Sequence, residues 1–139
     1  MTWFSKTTEQ LKQGLQSGAV LTGSSAERLR AAQELAERLK LRLYRVDLSR
    51  LVSKYIGETE KNLSRIFGEA EHRDLLLFFD EADSLFGERT EIRPSRWAEN
   101  RFATFQGIIV FGMSEGATLP PGLVHKFASA TIRHHWPPG

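Results

Sequence analysis

The amino-acid sequence predicts an α/β domain in which about five mostly parallel strands are flanked by helices. Strand-like and helix-like segments alternate along the chain, which is typical of a doubly wound sheet. The strongest strand signal is the uniformly apolar run Leu75–Phe79, since a strand covered on both faces carries no polar side of its own. The strongest helix signal follows residue 58, where apolar residues recur three, four and seven positions apart from Leu63 onward.

The remaining elements are predicted from the same two periodicities, in chain order. A short helix lies within residues 4–17, and a β-like run at 19–22 ends at Gly23. Apolar residues at spacings of three and four predict a helix at 26–40, and alternation predicts a strand at 41–48. Further on we expect helices at 95–106 and 123–129, and strands at 108–111 and 130–136. Residues 1–18 are thus expected to form an N-terminal helical segment and residues 19–139 the sheet-bearing part of a single domain.

Composition excludes several functional classes. The chain has no cysteine, so disulfides, thiol catalysis and cysteine-based zinc sites are ruled out. The longest apolar run, five residues, is far short of the ~20 that span a bilayer, and no secretion signal is visible at the N-terminus. We therefore expect a cytoplasmic protein with no membrane contact. The net charge of +2 is too small to indicate a nucleic-acid partner, and the basic residues between 28 and 42 are interpreted as a solvated helix face rather than a nucleic-acid patch.

Two acidic residues stand where a parallel sheet binds its ligands. Asp80 and Glu81 directly follow the apolar run 75–79, and ligands of such sheets bind beyond the carboxyl ends of the strands. One carboxylate at this place can hold magnesium, while the other orients or deprotonates a water that attacks a phosphate. The alternative is that both acids cap the next helix.

Three segments resemble the AAA+ ATPases of the classical AAA clade. They read Leu-Tyr-Arg-Val-Asp-Leu-Ser at 43–49, Ser-Lys-Tyr-Ile-Gly-Glu-Thr-Glu-Lys-Asn-Leu at 53–63, and Leu-Leu-Leu-Phe-Phe-Asp-Glu-Ala-Asp-Ser-Leu-Phe-Gly-Glu-Arg at 75–89. The resemblance implies a P-loop NTPase-like three-layer sandwich and makes residues 19–139 the large subdomain. It also implies ATP and magnesium as cofactors, with Asp80 the magnesium ligand and Glu81 the catalytic residue.

The resemblance further implies a pore loop. In the family's hexameric rings, an aromatic residue in the central pore grips substrate polypeptide, and the matching residues here are Tyr55, Ile56 and Gly57. The alternative for Tyr55 and Ile56 is partly buried packing within the domain.

The match fails where family members bind phosphate. A P-loop places Gly-x-x-x-x-Gly-Lys-Ser/Thr between a strand and a helix, so that backbone N–H groups wrap the phosphates. Here the first Gly23 is present, but the loop is one residue short when the helix is kept in register. Glu27, Arg28 and Leu29 then stand at the second glycine, the lysine and the hydroxyl position. Leucine cannot ligate magnesium, and glutamate adds negative charge where phosphate would bind.

An opposing interpretation keeps an anion site at this place, formed in an unorthodox way by Ser24, Ser25 and Arg28 at the helix N-terminus. Gly23 would complete this cofactor-binding set, together with Asp80.

Other family positions also depart from the pattern. The nearest candidate for the polar residue that senses the γ-phosphate is Ser114, and His125 and Lys126 stand where the arginine finger is expected. The chain stops at residue 139, where family members continue into a helical lid. Homo-oligomer formation is therefore expected to be possible but weakened.

These observations predict a pseudo-ATPase whose ATP and magnesium binding is weak or absent, and which acts through contacts with a protein partner or an AAA+ ring. The alternative is a weak but genuine Mg-dependent ATPase of the protein-remodelling type that uses Arg28, Asp80 and Glu81. A third possibility is a remnant that folds but does little. If the site is silent, Asp80 and Glu81 should repel each other for want of a cationic partner, and Asp80→Asn should be neutral or mildly stabilising.

Overall fold

A computed structural model of the chain describes the backbone of residues 3–51, 55, 57–71, 73–82 and 96–131. The helices are α1 (Trp3–Lys12), α2 (Ser25–Arg38), α3 (Leu48–Leu51), α4 (Glu58–Ala70) and α5 (Arg96–Thr104), with a 3₁₀ turn at Val124–Lys126. The strands are β1 (Gly18–Thr22), β2 (Arg42–Val46), β3 (Leu75–Phe79), β4 (Ile108–Met113) and β5 (Phe127–Thr131).

The strands form one sheet in the order β2-β3-β4-β1-β5, and every neighbouring pair is parallel. The predicted α/β domain with five parallel strands flanked by helices is confirmed. Strand β3 is an interior strand between β2 and β4, and its residues 76–79 are completely buried. The uniformly apolar run therefore predicted its position correctly.

Helices cover both faces of the sheet, because successive residues of a buried strand point to opposite sides. On one face, Leu77 and Phe79 join a core with residues of α4 and α5. On the other face, Leu76 and Phe78 join a core with residues of α1 and α2. The result is a three-layer arrangement with the sheet in the middle.

The core beneath α4 is largely aromatic. Phe67 of α4 stacks on Phe105 with ring centres 4.9 Å apart and meets the edge of Phe102 at 5.5 Å. Phe79 and Phe111, side by side on β3 and β4, extend the cluster across the sheet with centroids 5.8 Å apart. Aromatic pairs bury apolar surface and also favour defined ring orientations. They therefore hold α4 in a defined position over the ends of β3 and β4.

The N-terminal helix packs into the opposite core. Phe4 and Leu11 are buried there, and the guanidinium of Arg38 from α2 lies 4.4 Å from the centre of the Phe4 ring. Helix α1 is shorter than the predicted 4–17, since the chain turns at Gly14 with a positive φ of 72°. Residues 3–12 therefore belong to the helical layer that α2 forms.

Two segments near the ends of strands differ from the prediction. The helix expected at 123–129 is wrong, because only 124–126 form a 3₁₀ turn and β5 already starts at Phe127, in register with Gly18 of β1. Pairing with β1 supplies backbone hydrogen bonds that a local helix signal cannot outweigh. The strand expected at 41–48 ends at Val46, and residues 48–51 form the short helix α3. The predicted strand residues 132–136 lie outside the described residues.

Within the described ranges, no helix combines the length and the apolar character that crossing a membrane requires.

Candidate functional site

The carboxyl ends of three neighbouring strands meet at one edge of the sheet. Gly23 follows β1, Asp80 follows β3 and Ser114 follows β4. The register places the ends of β3 and β4 side by side, with Phe79 opposite Phe111. Parallel strands all end at the same edge, so the sequence-predicted positions on these three strands do converge.

The centre of this edge is an ion pair between Arg28 and Asp80. The guanidinium Nε of Arg28 donates to Asp80 Oδ1 at 2.9 Å, and Nη1 donates to the carbonyl oxygen of Gly23 at 2.8 Å. The two side chains are 8% exposed. The expectation that Asp80 lacks a cationic partner is therefore wrong: the register of α2 on the sheet brings Arg28 onto the carboxylate, which lies 52 positions further along the chain.

A second arginine approaches the same carboxylate. Arg45 of β2 lies 4.0 Å from Asp80 Oδ2 through Nη2, and its side chain is 57% exposed. Sequence reasoning missed Arg45 as a site residue. The parallel register places it opposite Phe78, two residues before Asp80, and that proximity follows only from the strand pairing.

Gly112 leaves the space in which this ion pair fits. A Cβ at residue 112 would lie 2.3 Å from Asp80 Oδ1 and 3.2 Å from Nε of Arg28. The carbonyl oxygen of Gly112 also accepts a hydrogen bond of 2.9 Å from the N–H of Ala82, just beyond Asp80. Sequence reasoning missed this residue too, although a glycine inside a strand is a known sign of a close approach by another group.

The connection from β1 to α2 is very short. The strand ends at Thr22 and the helix begins at Ser25, so only Gly23 and Ser24 lie between them. Gly23 has a φ of 148°, which favours glycine, and Ser24 is the N-cap of the helix.

The helix end closes on itself through a capping box. The hydroxyl oxygen of Ser24 accepts from the backbone N–H of Glu27 at 3.2 Å, and Glu27 Oε1 accepts from the backbone N–H of Ser24 at 3.0 Å. Hydrogen bonding from the Ser24 backbone, with a smaller contribution from its hydroxyl, lowers the pKa of Glu27 below its usual 4.5.

These contacts involve the groups that would have to bind the phosphates and the magnesium ion of a nucleoside triphosphate. A P-loop binds phosphate through a loop of backbone N–H groups that surround the anion. Here only two residues connect strand and helix. The backbone N–H groups of Ser24 and Glu27 donate to the side chains of the capping box. A magnesium ligand needs a carboxylate oxygen open to the ion, whereas Asp80 Oδ1 accepts from Arg28. In this arrangement the two amides and Asp80 Oδ1 are engaged by groups of the chain itself.

Glu81 lies beside the ion pair at the surface. It is exposed and has a positive φ of 56° in the turn that follows β3. With Asp80 and residues 45–48 it lines an open depression of about 470 Å³. Among the described residues, no group of three or more histidine, cysteine or acidic side chains is arranged to hold a metal ion.

The remaining predicted positions lie at the surface. Ser114 is exposed beyond β4, and His125 and Lys126 are exposed in the 3₁₀ turn. Tyr55 is 63% exposed, which argues against the packing alternative for this residue. Gly57 forms the N-cap of α4 in a left-handed conformation with φ 81°, and Ile56 lies outside the described residues.

Comparison with protein families agrees with this fold. The sequence model of the family described as "ATPase family associated with various cellular activities (AAA)" matches residues 30–110, more than half of the chain. The chain belongs to the AAA family. Members of this family generally use nucleotide and magnesium and act in oligomers or with protein partners.

Individual relatives match parts of the chain. An "Uncharacterized AAA family ATPase y4kL" of Sinorhizobium fredii is 43% identical over 68 residues, 45% of this chain and 21% of that protein. "ATPase family gene 2 protein" of Schizosaccharomyces pombe is 38% identical over 58 residues, 41% of this chain and 7% of that protein. "Peroxisomal ATPase PEX6" of Arthrobotrys oligospora is 34% identical over 86 residues, 61% of this chain and 7% of that protein. The matched part is thus about a fifth or less of each of these relatives.

Proposed function

We propose that this chain is an AAA-family module whose ATP binding and hydrolysis are impaired, and that it acts through contacts with a protein partner or an AAA ring. The observation that carries the proposal is the Arg28–Asp80 ion pair. In the family pattern, the cation at position 28 would serve phosphate and the carboxylate at position 80 would serve magnesium. Here the two groups bind each other at 2.9 Å, 8% exposed.

The capping box supports the same proposal. Glu27 places a carboxylate on the backbone N–H of Ser24, at the helix end where a P-loop would hold phosphate. An entering phosphate would have to displace this carboxylate and overcome its negative charge. Nucleotide binding would therefore break the helix cap and the ion pair together.

The proposed protein contact is supported by the exposure of Tyr55. This aromatic side chain exposes 63% of its surface two residues before the N-cap of α4, so another chain can contact it. By resemblance, Tyr55, Ile56 and Gly57 are the residues that would touch a polypeptide.

Calorimetric titration with ATP and magnesium tests the proposal. We expect the parent chain to bind at least tenfold more weakly, about 1.4 kcal/mol, than a variant with a rebuilt P-loop. That variant carries Glu27→Gly, Arg28→Lys and Leu29→Thr, with one glycine inserted after Ser24 to restore the loop length. Arg30→Lys, on the exposed side of α2, is the matched control and should leave the titration unchanged. Micromolar ATP binding by the parent would overturn the proposal.

The second candidate is a weak Mg-dependent ATPase that uses Arg28, Asp80 and Glu81. It is favoured by one observation, the position of Asp80 and the exposed Glu81 beside an open depression at the end of β3. A magnesium-dependent ATPase rate in the parent, lost in both Asp80→Asn and Glu81→Gln, would establish this candidate instead. Absence of that rate, together with capture of a specific partner that Tyr55→Ala loses, would separate the proposed module from a remnant that only folds.

A further inference from the structure

A groove lies at the edge of the sheet, between β2 and α4, away from the ion pair. Its volume is about 240 Å³. Its floor is apolar, formed by Ile66, Ala70, Leu75 and Leu77, and its rim carries Arg42, Tyr44, Glu69 and Arg73. We refer to these residues as the β2–α4 groove.

The groove borders an open sheet edge. Strand β2 is the first strand in the sheet order, and among the described residues only β3 pairs with it. The backbone N–H of Arg42 donates to the backbone carbonyl oxygen of Asp74, on the β3 side, at 2.8 Å. Because the amides of successive strand residues point to opposite sides, those of Leu43 and Arg45 face away from β3. No described residue accepts a backbone hydrogen bond from them, so a further strand can pair there.

The rim of the groove is basic. Arg42 and Arg73 are both exposed, and neither forms an ion pair within the described part of the chain. Glu69 is the acidic residue on the rim, so the arginines leave a net positive charge around an apolar floor. Tyr44, 44% exposed, adds an aromatic face on the same side.

We propose that the β2–α4 groove binds an extended acidic segment of a partner protein, which adds to the sheet as a strand beside β2. This rests on the proposed function, since it names the partner chemistry of a module that acts through protein contacts. Backbone hydrogen bonds to Leu43 and Arg45 supply the pairing, as in other cases of strand addition. Alternate side chains of the segment face the groove. An apolar residue in the segment would contact the apolar floor, and acidic residues two positions before and after it would pair with the rim arginines.

A short peptide with this pattern tests the proposal. The probe is fluorescein-labelled Thr-Glu-Thr-Leu-Thr-Glu-Thr, titrated with the full chain and followed by fluorescence anisotropy. We expect saturable binding that weakens at least tenfold in Arg42→Glu and in Arg73→Glu. Arg30→Glu makes the same charge change on the exposed side of α2, and it should leave the affinity within about twofold. A probe with lysine in place of both glutamates should not bind.

Backbone methylation separates strand addition from charge attraction. Only every second amide of an added strand faces β2, so N-methylation of one alternate set of probe residues should abolish binding and methylation of the other set should not. Binding that neither set affects, or binding lost equally in Arg30→Glu, would overturn the proposal. Single-stranded polyuridine and polyglutamate are also compared as competitors at the same concentration. If polyuridine displaces the probe and polyglutamate does not, the proposal is overturned and the surface is indicated to bind nucleic acid.

The two proposals can fail separately. Failure of the probe to bind, in a chain that also binds no ATP, removes the groove proposal and leaves the proposed function standing. Micromolar ATP binding removes the proposed function whatever the probe does.

Discussion

The guanidinium of Arg28 contacts both the carboxylate of Asp80 and the carbonyl oxygen of Gly23, and so connects the first turn of α2 to the ends of β1 and β3. Both side chains are almost fully buried. A charge removed from water is tolerated when it is paired and hydrogen-bonded, and it is costly when its partner is removed. The pair therefore carries structural consequences, whatever its role towards nucleotide.

Removing either partner should destabilise the domain strongly. We expect Asp80→Ala and Arg28→Ala each to lower the free energy of unfolding by about 3–5 kcal/mol, because each leaves an uncompensated buried charge. The double variant should cost less than the sum of the two, since it leaves no lone charge. Urea unfolding at neutral pH measures all three.

Arg45→Ala is the matched control for that cycle. Arg45 lies 4.0 Å from the same carboxylate but its side chain is 57% exposed, so its removal should cost no more than about 1 kcal/mol. Asp80→Asn removes the charge and should destabilise, contrary to the neutral or stabilising effect expected from the sequence. Two results would contradict a stabilising buried pair: an unchanged free energy of unfolding in Asp80→Asn, or a double variant whose loss equals the sum of the two single losses.

Gly112→Ala should be destabilising because its Cβ would lie 2.3 Å from Asp80 Oδ1. We expect a loss of about 1–3 kcal/mol from overpacking. Gly68→Ala is the comparison: its added Cβ would have no atom within 4 Å beyond its chain neighbours and the backbone of its own helix, and the residue is exposed inside α4. That change should stabilise by about 0.5–1 kcal/mol. Thermal melts of both variants check the contrast, and equal effects would argue against close packing at Gly112.

Ser24→Ala should lower stability by about 1 kcal/mol, since it removes the side-chain acceptor for the N–H of Glu27. Ser25→Ala, one residue into the helix and exposed, serves as the control and should change stability by less than about 0.5 kcal/mol. If the cap contributes nothing to stability, both variants should unfold at the same temperature as the parent.

The cap should also depend on pH through Glu27. Because the folded-state pKa of Glu27 lies below its usual 4.5, its carboxylate stabilises the fold above that value, and this contribution is lost as the pH falls through the lowered folded pKa. Glu27→Gln keeps an oxygen acceptor but not the charge. The parent should therefore melt at a higher temperature than Glu27→Gln at pH 7, and the difference should shrink below pH 4.5. A difference that is constant from pH 7 to pH 3 would contradict this assignment.

The sequence by itself determined the α/β class, the interior position of β3 and the meeting of Gly23, Asp80 and Ser114 at one edge. Hydrophobic periodicity reports which faces of each element are buried, and parallel strands bring their carboxyl ends to a common edge. Both are properties of single elements or of the fold class, so a linear sequence carries them.

Only the tertiary structure decided that Arg28 pairs with Asp80, that Gly112 makes room for them and that Arg45 approaches from β2. It also decided that β5 begins at Phe127, because the amides of that segment pair with β1. The physical reason is the same in each case. A contact of about 3 Å between side chains on different elements depends on strand register and on the rotation of a helix over the sheet, and no local periodicity encodes either.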